Sequence, residues 1–165
     1  MKEDNGLEIG GVFTFELVRD GKVIDRWEEK NLVVNEGLNH LLDVVLHNSS
    51  QQATWYIGLF NDNYTPLATD TAAAPGWTES TNYDEATREE YVEAAASGQS
   101  ITNSANKAEF TMNAAETIYG AFLISNSTKG GTAGVLFAAS KFSVSRSVVA
   151  SDVLLVTYTV NAASS

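Results

Sequence analysis

The stretch FTFELVRDGKVIDRW, residues 13 to 27, constrains the fold more than any other segment. Val12, Phe13, Phe15 and Leu17 make an apolar strand, and Val23, Ile24 and Trp27 lie on its return. Between them RDGK supplies the Asp-Gly dipeptide of a tight turn, because Gly21 accepts a positive φ at little cost. Residues 9–35 therefore read as a β-hairpin.

At Asn35 the period changes. Leu38, Leu41, Leu42 and Val45 recur at i, i+3, i+4 and i+7, which predicts a helix over about residues 36–47 that buries this stripe. Asn35 is the expected N-cap, Glu36 is an acid in the first turn, and HNSSQQ ends the element. ATWYIGLFND, residues 53 to 62, is a nearly continuous apolar run that fits a buried strand. NDNYTPLATDTAAAPGW holds both prolines and reads as a long loop. GWTESTNYDEATREEYVEAAASGQS reads as strand, turn and short strand. KAEFTMN, TIYGAFLISN, GVLFAASKFS and SDVLLVTYTVNA are further strands, the second and third joined by the Gly-rich turn STKGGTAG. Closely spaced strands without alternating helices predict a mainly β fold: one antiparallel β-sandwich or jelly-roll-like domain over residues 1–165, carrying one α-helix.

Charge and composition narrow the function. The formal net charge is −11, from 21 acids against 10 scattered bases, which disfavours binding nucleic acid through its phosphates. There is no cysteine, so thiolate metal sites, cysteine nucleophiles and disulfides are excluded. No apolar run is long enough to span a membrane, and MKEDNGLEIGG lacks the apolar core of a secretory signal. The glycine-rich KGGTAG has neither dinucleotide-binding nor Walker spacing, and no G-x-S-x-G elbow occurs.

Both histidines fall on the predicted helix. Glu36, His40, Asp43 and His47 share one face, which raises the question of a metal site. His40 and His47 stand two turns apart, about 10.5 Å along the axis at the standard rise, too far to share one ion readily. The amphipathic reading explains the segment instead: these residues form the wet side and the leucines the buried side. No cofactor, metal or catalytic set is expected.

Trp77, Tyr83 and Tyr91 lie in polar surroundings, as residues of a protein interface or a sugar-stacking platform would. The alternative is that they cap the core from its edge. Arg88 is the only basic residue from 31 to 106. It sits among Asp84, Glu85, Glu89 and Glu90, so an ion-pair network across a fold or subunit contact is its expected role. The glycines of Met1–Gly11 permit an extended N-terminal arm, with Leu7 and Ile9 as its candidate interface residues.

The order of these pieces is distinctive: a charged hairpin, then NLVVNEGLNHLLDVVL, then TWYIGLF, then GWTESTNYDEATREEY. This resembles small virion proteins of tailed bacteriophages, of the kind encoded near the major capsid protein. The similarity covers about residues 9–125; the C-terminal half matches only in character. Within that group the nearest role is the head-decoration or cement protein. The resemblance implies a non-enzymatic β-sandwich that sits on the capsid exterior, bridges capsomers of the major capsid protein, and associates as a dimer or trimer. A tail, neck or fibre-base position is the alternative inside the virion, and a carbohydrate-binding module is the alternative outside it.

Overall fold

A computed structural model describes residues 6–164. Two antiparallel sheets pack face to face as a β-sandwich. The hairpin forms as its turn chemistry requires: β1 (Leu7–Arg19) turns at Asp20 and Gly21, both at positive φ, into β2 (Lys22–Lys30). The last strand, β11 (Val153–Ser164), then pairs along β1 from Val18 opposite Val153 to Leu7 opposite Ser164. On the far side of β11 lie two short strands, β7 (Ser100–Thr102) and β8 (Ala108–Thr111). The first sheet therefore runs β2-β1-β11-β7, with β8 beside β7 along β11.

The second sheet runs β3-β10-β9-β4-β5: β3 (Leu32–Val33), β10 (Leu136–Val148), β9 (Glu116–Ile124), β4 (Tyr56–Phe60) and β5 (Glu79–Ser80). The two-residue β6 (Glu89–Glu90) also pairs with β4. The expected strand, turn and short strand of the middle segment are thus present as β5 and β6, while β7 lay outside the sequence reading. Between β3 and β4 the chain forms α1 (Asn35–Leu46), the helix expected there, with Val34 and not Asn35 at its N-cap. No helix among the described residues is long and apolar enough to cross a membrane.

Packing explains the near-continuous apolar character of β4 and β9. Their inner face, with Ile57, Leu59, Ala121 and Leu123, meets Phe13, Phe15, Val156 and Tyr158 of the first sheet. Their outer face carries Phe60, Phe122 and Ile124, and the long loop after β4 folds back over it and seals it with Trp77. A sheet buried on both faces has no polar row to alternate. Edges are kept short or covered. The long β2 edge is closed by a bulge in β10, where residues 142–145 stand outside the ladder with β9. From there Ser143 donates its N–H and Oγ to Glu29 Oε1 (2.6 and 2.7 Å), and just past the bulge Arg146 Nε reaches Asp25 Oδ2 at 2.7 Å. Such covering removes a template for edge-to-edge pairing.

The extended N-terminal arm is corrected where the structure describes it. Leu7–Gly11 are the first rungs of β1, paired with Val160–Ser164; Gly6 precedes the strand, and Met1–Asn5 lie outside the described residues.

Candidate functional site

Successive residues of a strand point to opposite faces, so the odd-numbered residues of β1 form one row. Leu17, Phe15 and Phe13 of that row are buried against the second sheet, and their partners Leu154, Val156 and Tyr158 on β11 are buried with them. The row continues as Ile9, opposite Ala162, and Leu7, opposite Ser164. There the cover thins: Ile9 is half-buried and Leu7 is 69 % exposed. Facing this end of the row, across a cavity of about 340 Å³, stand Trp55, Leu123 and Phe137 of the second sheet's side and the underside of α1. The sandwich is closed at one end and open at the other.

The helix is seated differently from its sequence pattern. Its only buried residue is Gly37, which lies against the backbone of Phe137; a Cβ there would collide with the Phe137 carbonyl and come within 2.8 Å of its Cα. Glu36 pins the same end, its Oε2 accepting the N–H groups of Leu136 (2.6 Å) and Ala72 (2.9 Å). This anchoring turns His40, Leu41 and Val44 towards the cavity and sends the rest of the expected core stripe outward. Leu38 is 38 % exposed, Leu42 52 %, Val45 68 % and Leu46 78 %. Of the four residues expected to be buried, only Leu41 is partly covered. The C-terminal half of α1 is therefore apolar on the cavity side and on the solvent side. A helix that is apolar most of the way round belongs in an interior; here half of that interior is missing.

The histidines separate accordingly. His40 leaves the expected wet face and meets the Trp55 ring edge-on, with centroids 5.8 Å apart. His47 is exposed at the helix end, its Nδ1 3.4 Å from Asp43 Oδ1. The two rings do not converge, and no group of three or more metal-ligating side chains occurs among the described residues.

The aromatic recognition surface is overturned. Trp77, Tyr83 and Tyr91 are all buried, so they offer no stacking platform and no protein interface. Trp77 stacks on Phe60 at 5.2 Å beneath the long loop. Tyr83 meets Phe110 edge-on in the core, with the Lys129 ammonium 3.7 Å from its ring centroid. Tyr91 donates its hydroxyl to the carbonyls of Tyr158 and Ile101, tying the two sheets beside the cavity. Burial pushes the Tyr83 and Tyr91 hydroxyls well above the ordinary tyrosine range, with nearby carboxylates adding to the effect. The polar residues around these aromatics in sequence lie in the short strands β5 and β6 and the loops about them, while the rings turn inward. These positions act as core residues, the alternative weighed for them in the sequence.

Arg88 is buried too, and its partner is not one of its sequence neighbours. Its Nε and Nη2 grip Glu79 at 2.8 and 2.6 Å in a bidentate pair. Its remaining donors reach the carbonyls of Asn126 and Gly131, both at 2.8 Å. With Trp77 it lines a second cavity, of about 350 Å³. There the guanidinium charge is already neutralised by Glu79, so the group fastens the turn before β10 to the sheet and presents no free cation to a ligand.

Of the six candidate residues, Leu7 and Ile9 lie at the open end and the buried Tyr91 lines its cavity; Trp77, Tyr83 and Arg88 serve the interior elsewhere. The outer stripe of α1 was missed as a surface because its spacing is that of a core face. The sequence signal that bears on it is Gly37, a small residue where close backbone approach is needed.

No protein-family model matches the chain, and no curated protein matches it.

Proposed function

We propose that the chain is a non-enzymatic structural protein of a tailed-phage virion, most like a capsid decoration or cement protein. In this reading it is made in the host cytoplasm and binds the outer surface of the head. The observation that carries the reading is the open end: Leu42, Val45 and Leu46 of α1, with Leu7 of β1, are exposed apolar side chains beside an apolar cavity. Exposed contiguous apolar surface marks a face that another molecule covers. The resemblance of residues 9–125 to small phage virion proteins supplies the kind of partner, the major capsid protein, with further copies of this chain as neighbours. The exposed stripe of a 12-residue helix, about 18 Å long, is small against the roughly 800 Å² per partner of a standard stable interface. A weak contact repeated over a shell gains its strength through multivalency, which suits decoration.

The test is to mix the purified chain with expanded phage heads that lack it and image the particles. Saturable binding at regular sites on the head, lost in a Leu42→Asp, Leu46→Asp double variant, is the expected result. Label confined to the tail, neck or fibre base would move the protein to that position, and failure to bind any virion part would end the reading.

A further inference from the structure

We propose that the cavity at the open end is a socket for one apolar side chain of a peptide segment flanked by lysine or arginine, presented by a neighbouring protein. The inference rests on the reading of this end as a contact surface, but not on the partner's being a capsid protein.

Shape comes first. The cavity, about 340 Å³, is at the small end of the range in which proteins hold ligands, and it opens beside the exposed stripe of α1. Its walls are chiefly apolar, from Ile9, Val44, Trp55 and Phe137, and Gln51, Gln52 and Glu93 bring polar groups to it. A site with that division takes an apolar body whose polar continuation stays in water. A side chain on a peptide fits this description, because its backbone finds amide partners in Gln51 and Gln52.

Charge selects the flanks. No lysine or arginine lines the cavity, and Glu93 does. Helix α1, which walls the cavity with His40, Leu41 and Val44, has no basic residue in its last turn. Residues 31–106, which supply α1 and most of the surrounding loops, contain ten carboxylates against one base, Arg88. That base is buried and paired with Glu79. A mouth with one carboxylate and no lysine or arginine, in a chain of formal net charge −11, steers basic segments towards it and repels acidic ones.

The experiment titrates the full-length chain with three short synthetic peptides, followed by NMR at the Trp55 indole and the Val44 methyls. One peptide carries a central phenylalanine flanked by lysines. The second has glutamates in place of the lysines, and the third has alanine in place of the phenylalanine. Decanol and decylamine serve as small-molecule arms. Saturable shifts at Trp55 and Val44 are expected with the lysine–phenylalanine peptide, at least about tenfold weaker with either counterpart, a difference of about 1.4 kcal/mol. Ala53→Trp, which puts bulk into the socket, should weaken the binding by a similar factor, while Val23→Thr, exposed on β2 and away from the cavity, should leave it within about twofold. Ala162→Trp from β11 replaces Ala53→Trp if the latter does not fold. Equal binding of the glutamate peptide overturns the charge selection. Shifts insensitive to both filling variants overturn the location. Binding of decanol or decylamine without the peptides makes the cavity a small-amphiphile site and overturns the proposal, as does the absence of any shift. Head binding by a chain that ignores the peptides would remove the socket alone, and peptide binding by a chain that ignores heads would remove the virion reading alone.

Discussion

The two ends of the sandwich are built from the same pair of strands. In the closed half, Phe13 stacks on Tyr158 at 4.0 Å, Phe15 on Trp27 at 5.1 Å, and Phe142 from the β10 bulge meets both Phe15 and Trp27 edge-on. In the open half the same rows of β1 and β11 continue as Leu7, Ile9, Val160 and Ala162, and their cover is a helix held at one end. Towards the open end the rows lose their aromatics and take in Gly11, Ala162 and Ser164, and less apolar surface stands opposite them. Burial in this fold therefore depends on the reach of the second sheet as much as on the strand that is buried. The closed half supplies the stability, and the open half is where that stability is available to a partner.

Truncation is the strongest way to break this comparison. Phe15→Ala should lower the unfolding free energy by about 3–5 kcal/mol, since a fully buried aromatic is removed and a cavity left. Leu46→Ala, at an exposed position, should stay within about 0.5 kcal/mol. Urea titration of both variants decides it, and similar losses would mean that the helix stripe is covered after all.

Arg88 gives an effect of comparable size by a different cause. Arg88→Met leaves Glu79 buried without its partner and should cost about 3–5 kcal/mol; adding Glu79→Gln should restore part of the loss. The same melts measure it. A single variant as stable as the parent would show that the pair does not hold the turn to the sheet.

At the hinge between the two halves, Gly37→Ala should cost about 1–3 kcal/mol despite alanine's higher helix propensity, because the added methyl strikes the Phe137 backbone. The variant should also shift the Trp55 resonances, as α1 lifts from the cavity. A stabilised variant with unchanged Trp55 would contradict the seating of the helix.

The smallest effect is a pH dependence. Asp152 accepts both Arg19 Nε and Nη2 at 2.7 Å and the Val149 N–H at 2.9 Å. The Arg19 guanidinium holds its carboxyl below the ordinary value of 3.8, with the Val149 bond assisting against the cost of burial. A depressed folded-state pKa adds stability that is fully present above the unfolded value and lost as the pH falls through the folded one. Asp152→Asn should therefore cost about 1–2 kcal/mol at pH 7 and flatten the loss of stability below about pH 4. An unchanged acid limb would remove this pair from the closed half's stability.

Much of this architecture is legible in the chain. The Asp-Gly turn places β1 and β2, the apolar runs place β4, β9, β10 and β11, and the change of period places α1. The orientation of α1 is not legible, because periodicity identifies an apolar stripe and not what stands opposite it. Only the approach of Gly37 to Phe137 decides which side faces in. The burial of Trp77 was hidden for a related reason: its cover depends on a loop folding back over the outer face of the second sheet, a long-range event that local polarity contradicts. Arg88 chose Glu79, nine residues away, over the acids beside it, since the fold and not the sequence sets which carboxylate shares its buried site.

Amide hydrogen exchange of the chain, free and bound to expanded heads, tests the central claim that the open end is the contact surface. Protection confined to residues 7–11 and 35–46, with Lys22–Lys30 and the β10 bulge unchanged, is the predicted pattern. Protection of β2 and the bulge, with α1 exchanging as in the free chain, would contradict it.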